Sequence, residues 1–182
     1  NKANNAQESI DNLEIGGRNL ILNTASFSSP WSINSELVQD GAYKYTVLRN
    51  SWSNYIVQQL TTLTQGDQYT VSFYAKCEQV KTIEVKDDSL NNRPQCYIDI
   101  TSTDWKRYSK EFRLTSSLAD PVEQVNLTFL TRQNDAPIYI KQIKLEKGNK
   151  ATDWTPAPED AIAQVDVEYY LSDSSTSLSG GS

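Results

Sequence analysis

Histidine is absent from the 182 residues. That removes the commonest general base, the commonest metal ligand and the usual Ser or Cys hydrolase triads. Only two cysteines are present, Cys77 and Cys96, and they are not spaced as a metal knuckle. Each falls in a strand-like run, where they read either as two buried thiols or as a disulfide. No apolar run is long enough for a spanning helix, so no membrane partner is expected. The first residues carry no apolar stretch of the signal-peptide kind and no Met, and the chain is expected to be part of something longer. Lys and Arg are missing from residues 151–182, which hold Asp153, Glu159, Asp160, Asp166, Glu168 and Asp173. The whole chain has 17 Lys plus Arg and 23 Asp plus Glu, so removing those six acids leaves 1–150 neutral. A neutral body lacks the basic footprint that a phosphate backbone needs, and no nucleic-acid partner is expected.

What remains is a globular composition, 37% apolar and 22% charged, with length for one domain of sandwich size. Residues 1–15 read as the end of a helical stalk or linker. Ala3, Ala6, Ile10 and Leu13 make a heptad-like stripe that about two turns cannot hold alone, so the parent protein is expected to be oligomeric. Gly16-Gly17 breaks it. From Arg18 onward, runs rich in β-branched and aromatic residues alternate with polar turns. They cover 19–22, 43–48, 55–60, 68–76, 82–86, 95–100, 106–114, 124–131 and 138–145. Tyr69, Val71, Phe73 and Ala75 alternate with Thr70, Ser72 and Tyr74, which suits a sheet with one face in a core. Nine short strands without intervening helices predict an all-β fold, an antiparallel β-sandwich of jelly-roll type spanning 16–150. Ile138 and Ile140 differ in phase from Ile143 and Leu145, and a bulge near Lys141-Gln142 reconciles them. Residues 151–182 read as an exit segment followed by the start of a next module, with a Ser/Gly-rich end.

Two segments are more specific. Gly16-Gly17-Arg18-Asn19-Leu20-Ile21-Leu22-Asn23 leads into the β region, and Lys144-Leu145-Glu146-Lys147-Gly148 with Ala151-Thr152-Asp153-Trp154-Thr155-Pro156-Ala157-Pro158-Glu159-Asp160 leads out of it. Together they resemble the brackets of modules in tail and baseplate proteins of phages and prophages of Gram-positive bacteria. The strands between resemble carbohydrate-binding modules of the family 4/9/22 jelly-roll type. Val167-Glu168-Tyr169-Tyr170-Leu171-Ser172 is similar to the opening of a following tail module. The resemblance implies a non-catalytic binder carried on a virion, with host cell-surface or cell-wall saccharide and other tail or baseplate proteins as partners. Many relatives end with an Asp-Asp pair that helps hold calcium. Lys141-Gln142 stands in that place, and Lys cannot donate oxygen to calcium, so neither a metal nor a cofactor is expected.

Sugar rings stack their C–H faces on Trp and Tyr, while polar side chains satisfy the hydroxyls. Trp31 and Trp52 lie in polar loops, as ligand platforms or as anchors folded onto the core. Tyr55, Tyr74 and Tyr97 fall opposite the apolar parity of their strands, and Gln59, Asp99 and Asn126 share that parity. They line a concave face or an ordinary solvated one. The loop from Asp87 to Arg93 closes over a ligand, with Arg93 at the site, or is a plain hairpin turn. Trp105 is expected to plug the core or a sheet end, and Trp154 to pack the tail onto the sandwich. The alternative function is a structural spacer that uses an aromatic face for packing. A glycan-cleaving enzyme needs paired carboxylates, and the adjacent Asp87 and Asp88 would point to opposite faces of a strand. Binding to a neutral or mildly charged saccharide, insensitive to salt, follows from the neutral body.

Overall fold

A computed structural model describes residues 17–116 and 124–160. The ten strands are β1 (Ser32–Asn34), β2 (Glu36–Asp40), β3 (Tyr43–Leu48), β4 (Tyr55–Leu60), β5 (Gln68–Cys77), β6 (Lys81–Asp87), β7 (Arg93–Ile100), β8 (Lys106–Arg113), β9 (Val125–Thr131) and β10 (Ile138–Lys147). They form two five-stranded sheets, one ordered β1-β4-β9-β6-β7 and the other β2-β3-β10-β5-β8. Every strand pair within the sheets is antiparallel. The fold is therefore the expected all-β sandwich. The helical stalk over 1–15 lies outside the described residues, and so does most of the expected next module.

The core follows from period two. On β5, Tyr69, Val71, Phe73 and Ala75 are buried, and on β9 Val125, Leu127 and Phe129 are buried. Burying each such large side chain contributes about 1.5–3 kcal/mol. Cys77 and Cys96 are buried free thiols. Burial pushes the Cys96 thiol up to about 12, which keeps it protonated and inert. The β10 bulge lies where the parity change puts it: pairing with β5 shifts register between Lys141 and Lys144, and Gln142 has φ of 50°.

Two strand expectations change. Residues 19–22 form no strand: one backbone bond, from the Leu20 amide to Leu145 O at 2.9 Å, joins them to β10, and side chains bond Ile21 and Leu22. Leu22 exchanges both bonds with the Gln58 amide, at 2.8 and 2.9 Å. The Ile21 amide donates to Asn19 Oδ1 at 3.1 Å. Instead β1 and β2 supply edge strands, too short and polar to stand out by pattern.

The incoming and outgoing segments are locked together. Asn19 is fully buried. Its Nδ2 donates to the carbonyls of Ile143 at 3.0 Å and Thr155 at 3.1 Å, and its Oδ1 also accepts from the Leu145 amide at 3.1 Å. Buried Glu146 accepts from the Thr152 amide at 3.0 Å and from its hydroxyl. Lys144 Nζ donates to Thr152 Oγ1 at 2.9 Å and Asp153 O at 2.7 Å. Desolvation lowers the Lys144 pKa, and the nearby Glu146 charge opposes that shift. Trp154 donates to Thr24 Oγ1 at 3.0 Å and meets the Tyr43 ring edge-on at 5.4 Å. Trp154 thus packs the outgoing chain onto the sandwich.

Candidate functional site

The sheet containing β4, β9, β6 and β7 turns Ile56, Leu127, Ile83, Ile98 and their same-parity neighbours inward and leaves a more polar face outward. Register fixes the neighbours on that face. Gln59 pairs with Asn126, Val57 with Thr128 and Thr128 with Lys86. Leu130 pairs with Glu84, Glu84 with Tyr97 and Thr82 with Asp99. Thr128 and Leu130 are buried although they point out of the core. They are the floor of a groove of about 360 Å³, walled by Trp52, Asn54, Tyr55, Asp88, Asn92 and Arg132.

Trp52 is 80% exposed at the tip of the β3–β4 loop, and Arg132 Cζ lies 3.6 Å from its ring centroid. Arg132 Nε is 3.3 Å from Glu84 Oε2. Lys86 also reaches the groove. Its side chain is 8% exposed, and its ammonium lies 3.5 Å from Asp88 Oδ1. Lys86, Asp88 and Arg132 line the groove, and Glu84, beside it on β6, pairs with Arg132, so each cation has an anion within the fold. The Lys86 ammonium donates and the Asp88 carboxylate accepts, so this pair suits a polyhydroxylated ligand. Across the sheet, Tyr97 is 56% exposed and Asp99 accepts from Thr82 Oγ1 at 2.6 Å.

The β6–β7 loop is held by Asp87. Its buried carboxylate accepts from the Ser89 amide and hydroxyl, the Asn126 amide and the Ser116 hydroxyl, at 2.6 to 3.1 Å. This fixes Asp88 and Asn92 beside the groove. Leu90, 66% exposed, rides on the same loop.

The candidate residues divide. Trp52 and Tyr55 line the groove. Tyr97, Asp99, Asn126 and Gln59 share its sheet face, Gln59 bonding to Gln124 near one end. Arg93 is exposed at the start of β7, next to groove-lining Asn92. Trp31 is not a platform: it is 8% exposed, packs on Phe27 at 5.3 Å and Phe129 at 6.3 Å, and donates to Leu22 O at 2.8 Å. Its loop position concealed an anchor, because tertiary partners rather than local polarity decide burial. Tyr74 does not join the others, because β5 belongs to the opposite sheet, where Arg107 covers its ring at 5.5 Å. Trp105 is also on that outer face, half-buried rather than in the core, with Lys141 Nζ at 4.3 Å, Lys76 Nζ at 5.0 Å and Tyr45 at 5.5 Å. Lys141, at the expected calcium position, forms an ion pair with Asp40 at 3.1 Å.

Glu84, Lys86 and Arg132 were missed from sequence. Charged residues alternating along a strand read as an ordinary solvated face, and only register brings them under Trp52. A larger cleft of about 550 Å³ lies beside the incoming chain, lined by Arg18, Leu20, Leu22, Leu60 and Glu159 among others. Among the described residues no aromatic side chain lines it, and the smaller groove is the better candidate for that reason.

The carbohydrate binding domain family model of the 4/9 type matches residues 23–138. The chain belongs to that family. No curated protein matches the sequence. Among solved structures, the tripod from the baseplate of bacteriophage Tuc2009 is similar with a TM-score of 0.52 and 17% identity, over 79% of this chain and 59% of that one. Another, described as "CBM4 structure and function", has a TM-score of 0.49 and 15% identity, over 74% of this chain and 97% of that one. The sequence resemblance to a carbohydrate-binding module is borne out by the family match, and the fold is shared with the phage baseplate protein.

Proposed function

We propose that this domain is a non-catalytic carbohydrate-binding module of a phage tail protein, attaching the virion to a saccharide of the host cell surface through the Trp52 groove. The observation that carries this reading is Trp52 itself. Among the described residues it is the large hydrophobic side chain most open to solvent, and it stands on a groove that also holds the Lys86–Asp88 ion pair. Tyr55 and Tyr97 extend the aromatic surface, and Asn126, Gln59, Asp99 and Arg93 supply peripheral polar contacts. The shared fold with a baseplate protein supports the tail assignment. Adjoining tail or baseplate proteins are the further partners under this reading. A non-catalytic role is supported by the carboxylates: Asp87 is buried with its oxygens engaged, and Asp88 is paired with Lys86. Display of several copies on one virion would let weak single sites give firm attachment by avidity.

A glycan array and a pull-down on host cell walls test the proposal, with the parent domain and Trp52→Ala run side by side. Retention of the parent and loss of the variant is the expected result. If the parent retains no saccharide, the spacer reading replaces this one. A specific observation favours that second reading: the aromatic cluster of Tyr45, Trp105 and Tyr139 on the opposite outer face is already packed on itself, as a packing surface would be.

A further inference from the structure

A tryptophan as open as Trp52 ordinarily samples several rotamers, and a ligand that fixes it loses affinity to that ordering. Here the ring has a backing. The Arg132 guanidinium centre lies 3.6 Å from the indole centroid, the spacing of a stacked plane rather than a distant charge. Arg132 follows the end of β9, and its own orientation is restrained in turn. Its Nε is 3.3 Å from Oε2 of Glu84, whose side chain is 13% exposed in the middle of β6. That contact is an ion pair without hydrogen-bond alignment, so it steers the guanidinium by charge while leaving its plane free to follow the ring.

The loop backbone has separate restraints. Asn50 bridges to Thr131 and donates to Gln133 O at 2.8 Å, and Asn54 Oδ1 accepts from the Arg49 amide at 2.7 Å. Those bonds place the Cα of Trp52 but do not choose its side-chain rotamer. Among the described residues, the one ring or charge contact of the indole is Arg132.

We infer that Arg132, seated by Glu84, is a positioning residue that holds the Trp52 ring as a fixed wall of the groove. The inference rests on reading the groove as the saccharide site. Order passes from the sheet to Glu84, from Glu84 to Arg132 and from Arg132 to the ring, and Arg132 acts on the ligand through Trp52. A guanidinium suits this task where an ammonium does not, because only the former is planar.

The first test needs no ligand. The heteronuclear NOE of the Trp52 indole N–H is measured in the parent, in Arg132→Met and in Glu84→Gln, with melting temperature as a check on folding. The parent value should match ordered backbone amides. Arg132→Met should lower it clearly, and Glu84→Gln should lower it less. An unchanged indole NOE in folded Arg132→Met overturns the inference, whatever the domain binds. The second test is a double-mutant cycle using cellohexaose and xylohexaose as neutral probes, together with a soluble host-wall saccharide fraction. Arg132→Met should weaken binding about 2- to 10-fold, the scale of one immobilised side chain. In the Trp52→Ala background it should change nothing further. Additive losses overturn the inference, because they assign Arg132 a ligand contact of its own. If no probe binds the parent, the saccharide reading fails while the indole measurement still decides the role of Arg132.

Discussion

The two outer faces of the sandwich carry similar residues and use them oppositely. On the face of β3, β10, β5 and β8, the aromatics meet one another and meet cations. Tyr45 touches Trp105 and Tyr139, Lys76 and Lys141 lie over Trp105, and Arg107 lies over Tyr74. Part of that face is also roofed by the outgoing chain, since Arg107 donates to Thr152 O at 2.5 Å and Lys144 donates to Asp153 O at 2.7 Å. On the face of β4, β9, β6 and β7, Trp52 and Tyr97 stay open and the charges sit below a groove. Counting aromatics does not separate a binding face from a packing face. What separates them is whether the rings have already found partners within the fold.

The roofed face offers the strongest way to break this comparison. Lys144 and Glu146 are buried together, with side chains 1% and 0% exposed. Lys144→Met leaves the Glu146 carboxylate without its cation, and unfolding in urea should show a loss of about 3–5 kcal/mol. Replacing both, as Lys144→Met with Glu146→Leu, removes the stranded charge and should recover part of that loss. If the single substitution is neutral, the outgoing chain is not held by this pair, and the division into a roofed face and a ligand face loses its physical basis.

The same network explains why some of the molecule was legible and some was not. The bracket motifs were distinctive because Asn19, Lys144, Glu146, Thr152 and Trp154 interlock, and each needs its particular donors or acceptors. The sandwich was legible because period-two burial is local: Tyr69 to Ala75 and Val125 to Phe129 each state which side is inside. The β10 bulge was legible for the same reason, as a break in parity. Strand order is not local. Tyr74 has the outward parity expected of it, yet nothing in β5 says that it pairs with β10 and β8 rather than with β4's sheet. Trp31 and Trp52 have similar polar neighbours in sequence, and only Phe27 and Phe129, folded beside Trp31, tell them apart.

The next prediction sharpens the comparison by exchanging readouts between faces. Trp52→Ala should lose about 1–3 kcal/mol of saccharide binding, the range for a main aromatic contact. Its stability should shift by no more than about 0.5 kcal/mol, as for other open surface sites. Trp105→Ala should bind like the parent and lose about 1–2 kcal/mol of stability, because its ring and cation contacts go with it. Paired titration calorimetry and thermal unfolding on both variants measure the contrast. A Trp105 variant that unfolds like the parent but binds less would move the ligand to the opposite face.

The smallest expected effect is that of salt, and it comes from the way the groove arranges its charges. Lys86 faces Asp88 at 3.5 Å and Arg132 faces Glu84 at 3.3 Å, so each cation in the groove has its own anion within the fold. A neutral saccharide meeting the Lys86–Asp88 pair forms hydrogen bonds without separating or gaining net charge. Added salt shortens the screening length from about 10 Å at 0.1 M to about 3 Å at 1 M, but there is little unpaired charge for it to act on. Raising NaCl over that range should therefore change the saccharide dissociation constant by less than about twofold, or about 0.4 kcal/mol. An anionic saccharide would behave differently. It would compete with Asp88 for the Lys86 ammonium, and its affinity would fall steeply as salt rises. Titration of the domain with its retained host saccharide at both salt concentrations distinguishes the cases. A tenfold loss at high salt would show that the ligand carries charge into the groove and that the Lys86–Asp88 pair opens to receive it.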